Sequence, residues 1–343
     1  MNPSAIETSP STSQAEAASD AAPRARARRA ATLDFVGRYG MLVVFGFMLL
    51  VFLATNDSFR QPDNLLNILQ QNSMIGIVAC GMAVMIIAGG FDLSVGATGA
   101  AASVAAASVM VHSGSITLGV LAGLGVGFAV GALNGLLIAK LNITPLVTTL
   151  GTTSLITGIM LTATSALPVA GIPASFSHLG LGKIAGIPVP AIVFAAVAFV
   201  TWAGLRKTRV GHYVYAHGSN REASRLAGVP VDRVFATTFI VGGLFAGIAG
   251  LIMLGQTTIG QPSAATDWPL TAIAAVVVGG TPLRGGLGGV HSAVIGTLLL
   301  GVVANAITLY GVSPYLQPAV TGVVILIAVG VDSYQRRNRG GDS

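Results

Sequence analysis

Long apolar stretches separated by short polar breaks fill most of the chain beyond Met41. Between Leu65 and Ala139 the only formally charged residue is Asp92, and between Leu141 and Leu205 it is Lys183. Asp267 stands alone between Val234 and Leu283, and residues 285–331 carry no formal charge. The hydrocarbon core of a bilayer is ~30 Å thick and takes ~20 helical residues to cross. These stretches must therefore be cut at their Gly, Pro and polar breaks. The cuts predict an all-α, polytopic membrane protein with about ten transmembrane helices, near 38–55, 65–89, 94–112, 115–139, 145–164, 188–206, 234–255, 268–284, 288–309 and 314–331.

Basic residues orient these helices. With ten spans and both termini on the cytoplasmic side, that side holds Arg24–Arg38, Lys140, Arg206–Arg233, Arg284 and Arg336–Arg339, which together carry 16 of the 18 Lys and Arg residues. Only Arg60 and Lys183 fall outside, as the positive-inside rule requires. Residues 1–37 read as a disordered, basic cytoplasmic tail, 38–332 as the transmembrane domain and 333–343 as a second cytoplasmic tail. The apolar stretch 41–54 comes late and lacks a small-residue cleavage site, so it reads as a retained first helix.

Composition narrows the function. Of 343 residues, 53% are hydrophobic and 9% charged, against about a quarter charged in soluble domains. Forty-five glycines let helix backbones approach closely where lipid is the solvent. The net charge of +6 is not gathered into one face of a soluble domain, which argues against a nucleic-acid partner. Cys80 is the single cysteine and no His/Cys cluster has metal-ligand spacing, so neither a disulfide nor a metal is expected. There is no Gly-x-x-x-x-Gly-Lys-Ser/Thr phosphate loop and no His-Glu-x-x-His zinc motif, so the chain is neither an ATPase nor an evident enzyme, and no cofactor is expected on it.

Two elements stand out. Gly89-Gly90-x-x-Leu93-x-x-Gly96 is echoed by Gly279-Gly280-x-x-Leu283-x-x-Gly286, and internal repeats are common in transporter folds. Within the cytoplasmic segment 207–233, Ser219 and Glu222 have capping-box spacing, and Gly228 with Pro230 is placed to stop a helix. This specifies a two-turn helix outside the membrane, too short to be stable alone. It is either an amphipathic connector on the lipid surface or a docking helix for another subunit.

Glu222-Ala223-Ser224-Arg225-Leu226-Ala227-Gly228 resembles the Glu-Ala-Ala-x-x-x-Gly cytoplasmic loop of ATP-binding-cassette importer permeases. Gly218-Ser219-Asn220-Arg221-Glu222-Ala223 is similar to the ribose-type, monosaccharide branch of that family. So is Gly90-Phe91-Asp92-Leu93-Ser94-Val95-Gly96, close to Gly-Ile-Asp-Leu-Ser-Val-Gly. The resemblance covers about residues 38–332. Ser224 replaces the second alanine of the docking motif, and Ser292-Ala293 stands where the branch carries Gly-Thr. The resemblance implies a permease subunit in a bacterial inner membrane that imports a monosaccharide. It further implies a second permease copy, a separate ATPase subunit that binds the ATP, and an extracytoplasmic solute-binding protein. ATPase coupling would fall to Ser219, Asn220, Arg221, Glu222, Ala223, Arg225 and Gly228. Permeases for nucleosides or branched-chain amino acids remain alternatives, as does an ion-coupled transporter.

The polar residues at membrane depth are candidates for a pathway or gate: Asp92, Gln70, Asn72, Asn134, Thr148, Thr152, Gln256 and Asn305. Neutral amides and hydroxyls suit a neutral polyhydroxy solute, and equally well serve as hydrogen bonds between helices. Asp92 either acts in gating or caps the following helix at the cytoplasmic interface, accepting from the amides of residues 94 and 95.

Overall fold

The computed structural model describes residues 45–311 without a break, together with 313–316, 318, 319, 322, 323 and 326. The tails 1–37 and 333–343, the start of the helix expected at 38–55 and much of that expected at 314–331 lie outside the described residues. The described residues from Met48 onward form one compact unit.

The helices are α1 (Phe45–Thr55), α2 (Asp57–Arg60), α3 (Pro62–Ile87), α4 (Val95–Ser113), α5 (Ile116–Leu141), α6 (Pro145–Ala163), α7 (His178–Leu181), α8 (Val189–Lys207), α9 (Arg209–Ser219), α10 (Arg221–Leu226), α11 (Val231–Thr257), α12 (Trp268–Val278) and α13 (Val290–Leu309). A two-stranded hairpin, β1 (Lys183–Ile184) with β2 (Ile187–Pro188), precedes α8. Among the described residues, seven helices are long and apolar enough to cross a membrane: α3, α4, α5, α6, α8, α11 and α13. Their ends fall within three residues of those expected from the sequence.

The helix expected at 268–284 is corrected. α12 stops at Val278 after 11 residues, a rise of about 16 Å that falls short of a bilayer core. Gly280, at φ +103°, ends it: the Gly280 amide donates to Val277 O at 2.9 Å and the Thr281 amide to Val276 O at 3.1 Å. α3 ends in the same Schellman closure, with Gly89 at φ +87°, Gly89 N to Ile86 O at 2.9 Å and Gly90 N to Met85 O at 2.9 Å. The sequence echo therefore corresponds to matching helix ends, shifted by one position. The left-handed residue is the first glycine of one pair and the second of the other.

α3 and α11 form the centre, with 72% and 78% of their most apolar stretches buried, against 22% for α5 and 28% for α6 and α8. α5 meets the rest along one ridge: Gly119, Gly123, Gly127, Gly131 and Gly135 recur every fourth residue and are all buried. On α11 the facing residues include Gly243 and Gly247. A methyl on Gly127 would overlap Gly243 O, and one on Gly243 would lie 2.9 Å from the Gly131 backbone. The two helices thus touch main chain to main chain, the small-residue packing that holds spans together where no hydrophobic force acts between them.

Gly131→Val should destabilise the protein by ~1–3 kcal/mol or more, because the added carbon would sit 2.5 Å from Phe239 O and 2.9 Å from Ile240 Cα, both backbone. Gly125→Ala, on the open side of the same helix with nothing within 4 Å, should be neutral or gain up to ~1 kcal/mol in helix propensity. Thermal unfolding in detergent separates them; equal melting of Gly131→Val and wild type would refute the ridge.

Candidate functional site

The segment between α8 and α11 folds into two short helices joined by single residues. Thr208 is both the C-cap of α8 and the N-cap of α9, its hydroxyl accepting from Gly211 N at 3.1 Å. Asn220 is both the C-cap of α9 and the N-cap of α10, its Oδ1 accepting from Ala223 N at 2.9 Å. The capping box expected of Ser219 and Glu222 is not formed. Ser219 is the last residue of α9, and its hydroxyl donates to Tyr215 O at 2.9 Å. Asn caps at least as well as Ser, and placing the cap one residue later leaves Ser219 to bond within the preceding turn.

The far end of α10 follows expectation. Gly228 adopts φ +81°, its amide donates to Arg225 O at 3.0 Å, and the Val229 amide donates to Ser224 O at 3.0 Å. Arg221 holds the base of α10 in place, donating to Asp232 Oδ1 in the first turn of α11 at 2.8 Å and to Asn142 Oδ1 at the C-cap of α5 at 3.4 Å. Ser224 is buried, whereas Glu222, Ala223, Arg225, Ala227 and Gly228 are exposed and Leu226 is 82% exposed. One side of α10 is anchored, and on the other Ala223, Leu226 and Ala227 lie open beside Glu222, while Arg225 reaches Asp232 at 4.0 Å.

α9, which the sequence reading did not single out as a helix, buries Gly211, Val214 and His217. The His217 ring stacks on Phe235 of α11 at 4.6 Å between centroids, and its Nδ1 lies 2.8 Å from Ala88 O. A carbonyl only accepts, so Nδ1 carries the proton. Burial pushes the His217 pKa down and Arg221 adds to the effect, while the Ala88 carbonyl and Asp232 oppose it.

A second polar group lies between α4, α5 and α6. Asp92 is 1% exposed; its Oδ1 accepts from the amide and the hydroxyl of Ser94, each at 2.6 Å. The amide of residue 95, expected as a second donor, is not among its partners; Asp92 lies buried in the turn between α3 and α4. Asn134 Nδ2 donates to Asp92 Oδ2 at 3.3 Å and to Ser94 Oγ at 2.9 Å, and Asn134 Oδ1 accepts from Thr152 at 2.7 Å. Thr149 Oγ1 accepts from Leu93 N at 3.1 Å, and Thr153 donates to Leu93 O at 3.2 Å. Asp92, Asn134 and Thr152, which the sequence could only nominate separately, thus form one network. Ser94, Thr149 and Thr153 complete it.

The other candidates lie elsewhere. Gln70 donates to Gly180 O at 3.0 Å, against the turn that also packs on the Gln256 backbone. Asn72 bonds Ile68 O in its own helix at 2.8 Å. Asn305 exchanges two amide hydrogen bonds with Asn64, at 2.8 and 3.0 Å; Asn64 sat just outside the expected span and was missed. Thr148 Oγ1 and Gln256 Nε2 are buried without a hydrogen-bond partner among the described residues. No group of three or more His, Cys, Asp or Glu among the described residues is placed to hold a metal.

Asp92→Asn should cost ~1–3 kcal/mol. With Oδ1 still required as the acceptor for Ser94, the new amide nitrogen faces that of Asn134. Adding Asn134→Asp restores a donor–acceptor pair and should recover part of the loss in a detergent melt. A double variant no more stable than Asp92→Asn would show that the pairing is not what holds these helices.

Residues 64–329 match the family described as "Branched-chain amino acid transport system / permease component". The ribose import permease protein of Bacillus subtilis is 39% identical over 291 residues, 84% of this chain and 90% of that one. The ribose import permease protein of Escherichia coli K12 is 36% identical over 310 residues, 89% and 97% of the two chains. The L-arabinose transport system permease protein of the same strain is 38% identical over 300 residues, 88% and 92%. No solved structure matches significantly. The seven apolar helices and a match over most of the chain establish a multi-pass membrane protein that belongs to this family of transport permeases.

Proposed function

We propose that the chain is the membrane-spanning subunit of an ATP-driven importer of a monosaccharide, with α10 as the docking helix for a separate ATPase subunit. The observation that carries this is α10 itself: capped at both ends, anchored through Arg221 to α5 and α11, and outside the spans with its Leu226 face open. Held by its caps and by Arg221, this six-residue helix keeps a shape it would not hold alone in water, so its open face stands pre-formed for a partner. Ser219, Asn220, Arg221, Glu222, Ala223, Arg225 and Gly228 form or support that surface, within the coupling segment 207–233.

The relatives named for ribose and L-arabinose support a pentose or similar neutral sugar over the amino acid in the family's description. Thr148 and Gln256, with buried polar atoms left unpaired among the described residues, are the pathway candidates best suited to take solute hydroxyls; Gln70, Asn72 and Asn305 are already engaged within the chain. The assembly consists of two permease copies, the ATPase subunits that bind the ATP, and an extracytoplasmic binding protein. In this reading both termini, the tails 1–37 and 333–343 and the basic segment 207–233 lie on the cytoplasmic side of the inner membrane, where α10 meets the ATPase.

The test is reconstitution with the ATPase and binding protein, followed by uptake of labelled ribose and L-arabinose. Glu222→Lys reverses the charge on the open face, and Gly228→Pro removes both the left-handed turn and the amide bonded to Arg225 O. Each should leave the protein in the membrane, weaken ATPase co-purification roughly 30-fold, the effect of ~2 kcal/mol at an interface centre, and abolish uptake. Wild-type co-purification with both variants would overturn the docking role. Uptake that survives ATP depletion and collapses with an uncoupler would identify an ion-coupled transporter instead.

A further inference from the structure

A helix leaves its last carbonyls without partners of its own. At the end of α3 those of Ile87 and Ala88 are taken by two other parts of the chain. Gly286, in the turn between α12 and α13, donates its amide to Ile87 O at 2.8 Å. His217 of α9 donates Nδ1–H to Ala88 O at 2.8 Å. The triangle is closed by Tyr215 of α9, whose hydroxyl donates to Gly288 O at 2.9 Å.

Beside these bonds the three segments also touch main chain to main chain. A methyl on Gly218, at the end of α9, would overlap Ile87 O and lie 2.6 Å from Gly286 N. One on Gly285 would lie 3.0 Å from the Gly89 backbone and 3.1 Å from Gly218 O. A side-chain contact can absorb displacement by changing rotamer; backbone packed at van der Waals distance cannot, because interiors at this density transmit strain. The segments so joined are α9, which leads directly into α10, the end of α3 at Gly89, and the α12–α13 turn at Gly285 and Gly286.

We infer that α9 is the lever of the transport cycle, and that Tyr215 and His217 are positioning residues that make α9 move as one body with the end of α3 and the α12–α13 turn. This rests on the docking role proposed for α10 and adds the route by which displacement of α10 reaches the spans. Neither residue lies on the open face of α10, so their loss leaves ATPase docking intact and severs its consequence. The signature is uncoupling, with ATP hydrolysed and little solute moved.

Three quantities measured in one reconstituted complex test it: ATPase retained, ATP hydrolysed, and solute taken up per ATP. Tyr215→Phe, which keeps the ring and removes only the hydroxyl, and His217→Phe, which keeps the stacking on Phe235 and removes the Nδ1 donor, should each retain the ATPase at wild-type level while uptake per ATP falls about tenfold, within the range of typical coupling free energies. His217→Asn, whose amide can occupy the Nδ1 position and donate to Ala88 O, should recover most of the ratio. Uptake per ATP unchanged in Tyr215→Phe and His217→Phe would overturn the inference and leave the docking reading standing. Loss of the ATPase itself from these variants would also overturn it, by placing the residues in docking. A wild-type complex that retains no ATPase would remove the docking reading and, with it, the lever.

Discussion

The structure depends on helices brought close enough for their backbones to touch. Between helices in lipid there is little hydrophobic driving force, because the tails are as apolar as leucine, and packing has to supply the attraction. α5 solves this with a glycine at every fourth residue from Gly119 to Gly135, which removes side chains from one face and lets Gly243 and Gly247 of α11 settle against it. α11, held on this side by α5 and on another by α3, then carries out of the spans the residues that fix the short helices. Asp232 receives Arg221 of α10, and Phe235 receives His217 of α9. The position of the exposed face of α10 is thus set by contacts deep among the spans.

Polar atoms do a different task. The Asp92 network ties the turn before α4 to α5 and α6 through Ser94, Asn134 and Thr152. In a low-dielectric interior such a network is strong when complete and costly when broken. It supplies direction where the glycine contacts supply proximity, since a hydrogen bond fixes register along a helix and a glycine face alone permits sliding. Asp92 acts here through the turn it organises, with its oxygens occupied by Ser94 and Asn134.

Much of this was legible in the sequence. The spans from α3 to α6, α8, α11 and α13 follow from charge-free length and from Gly, Pro and polar punctuation, and Gly228 announced its left-handed turn. What escaped were features decided by geometry in three dimensions. Ser219 and Asn220 are both competent caps, and which of them ends one helix and starts another depends on how far α9 extends. α12 looked like a full span because Thr281–Leu283 continue its apolar character, yet the Gly279-Gly280 pair closes it at Val278. Asn134 and Thr152 could be recognised as polar, but their junction with Asp92 needs helices 42 and 18 residues apart in sequence to meet. Asn64 is half of a reciprocal amide pair whose other half lies 241 residues away.

The joints at Thr208 and Asn220 carry a consequence for how this chain can vary. Each residue finishes one helix and begins the next, so there is no spare link between the last span before α9 and the exposed face of α10. Inserting a single amino acid on this path would rotate everything beyond it by about 100° and turn Leu226 away from whatever it meets. Identities away from the caps, the backbone contact at Gly218 and the side chains that anchor or present these two helices can drift; the number of residues between Lys207 and Gly228 cannot.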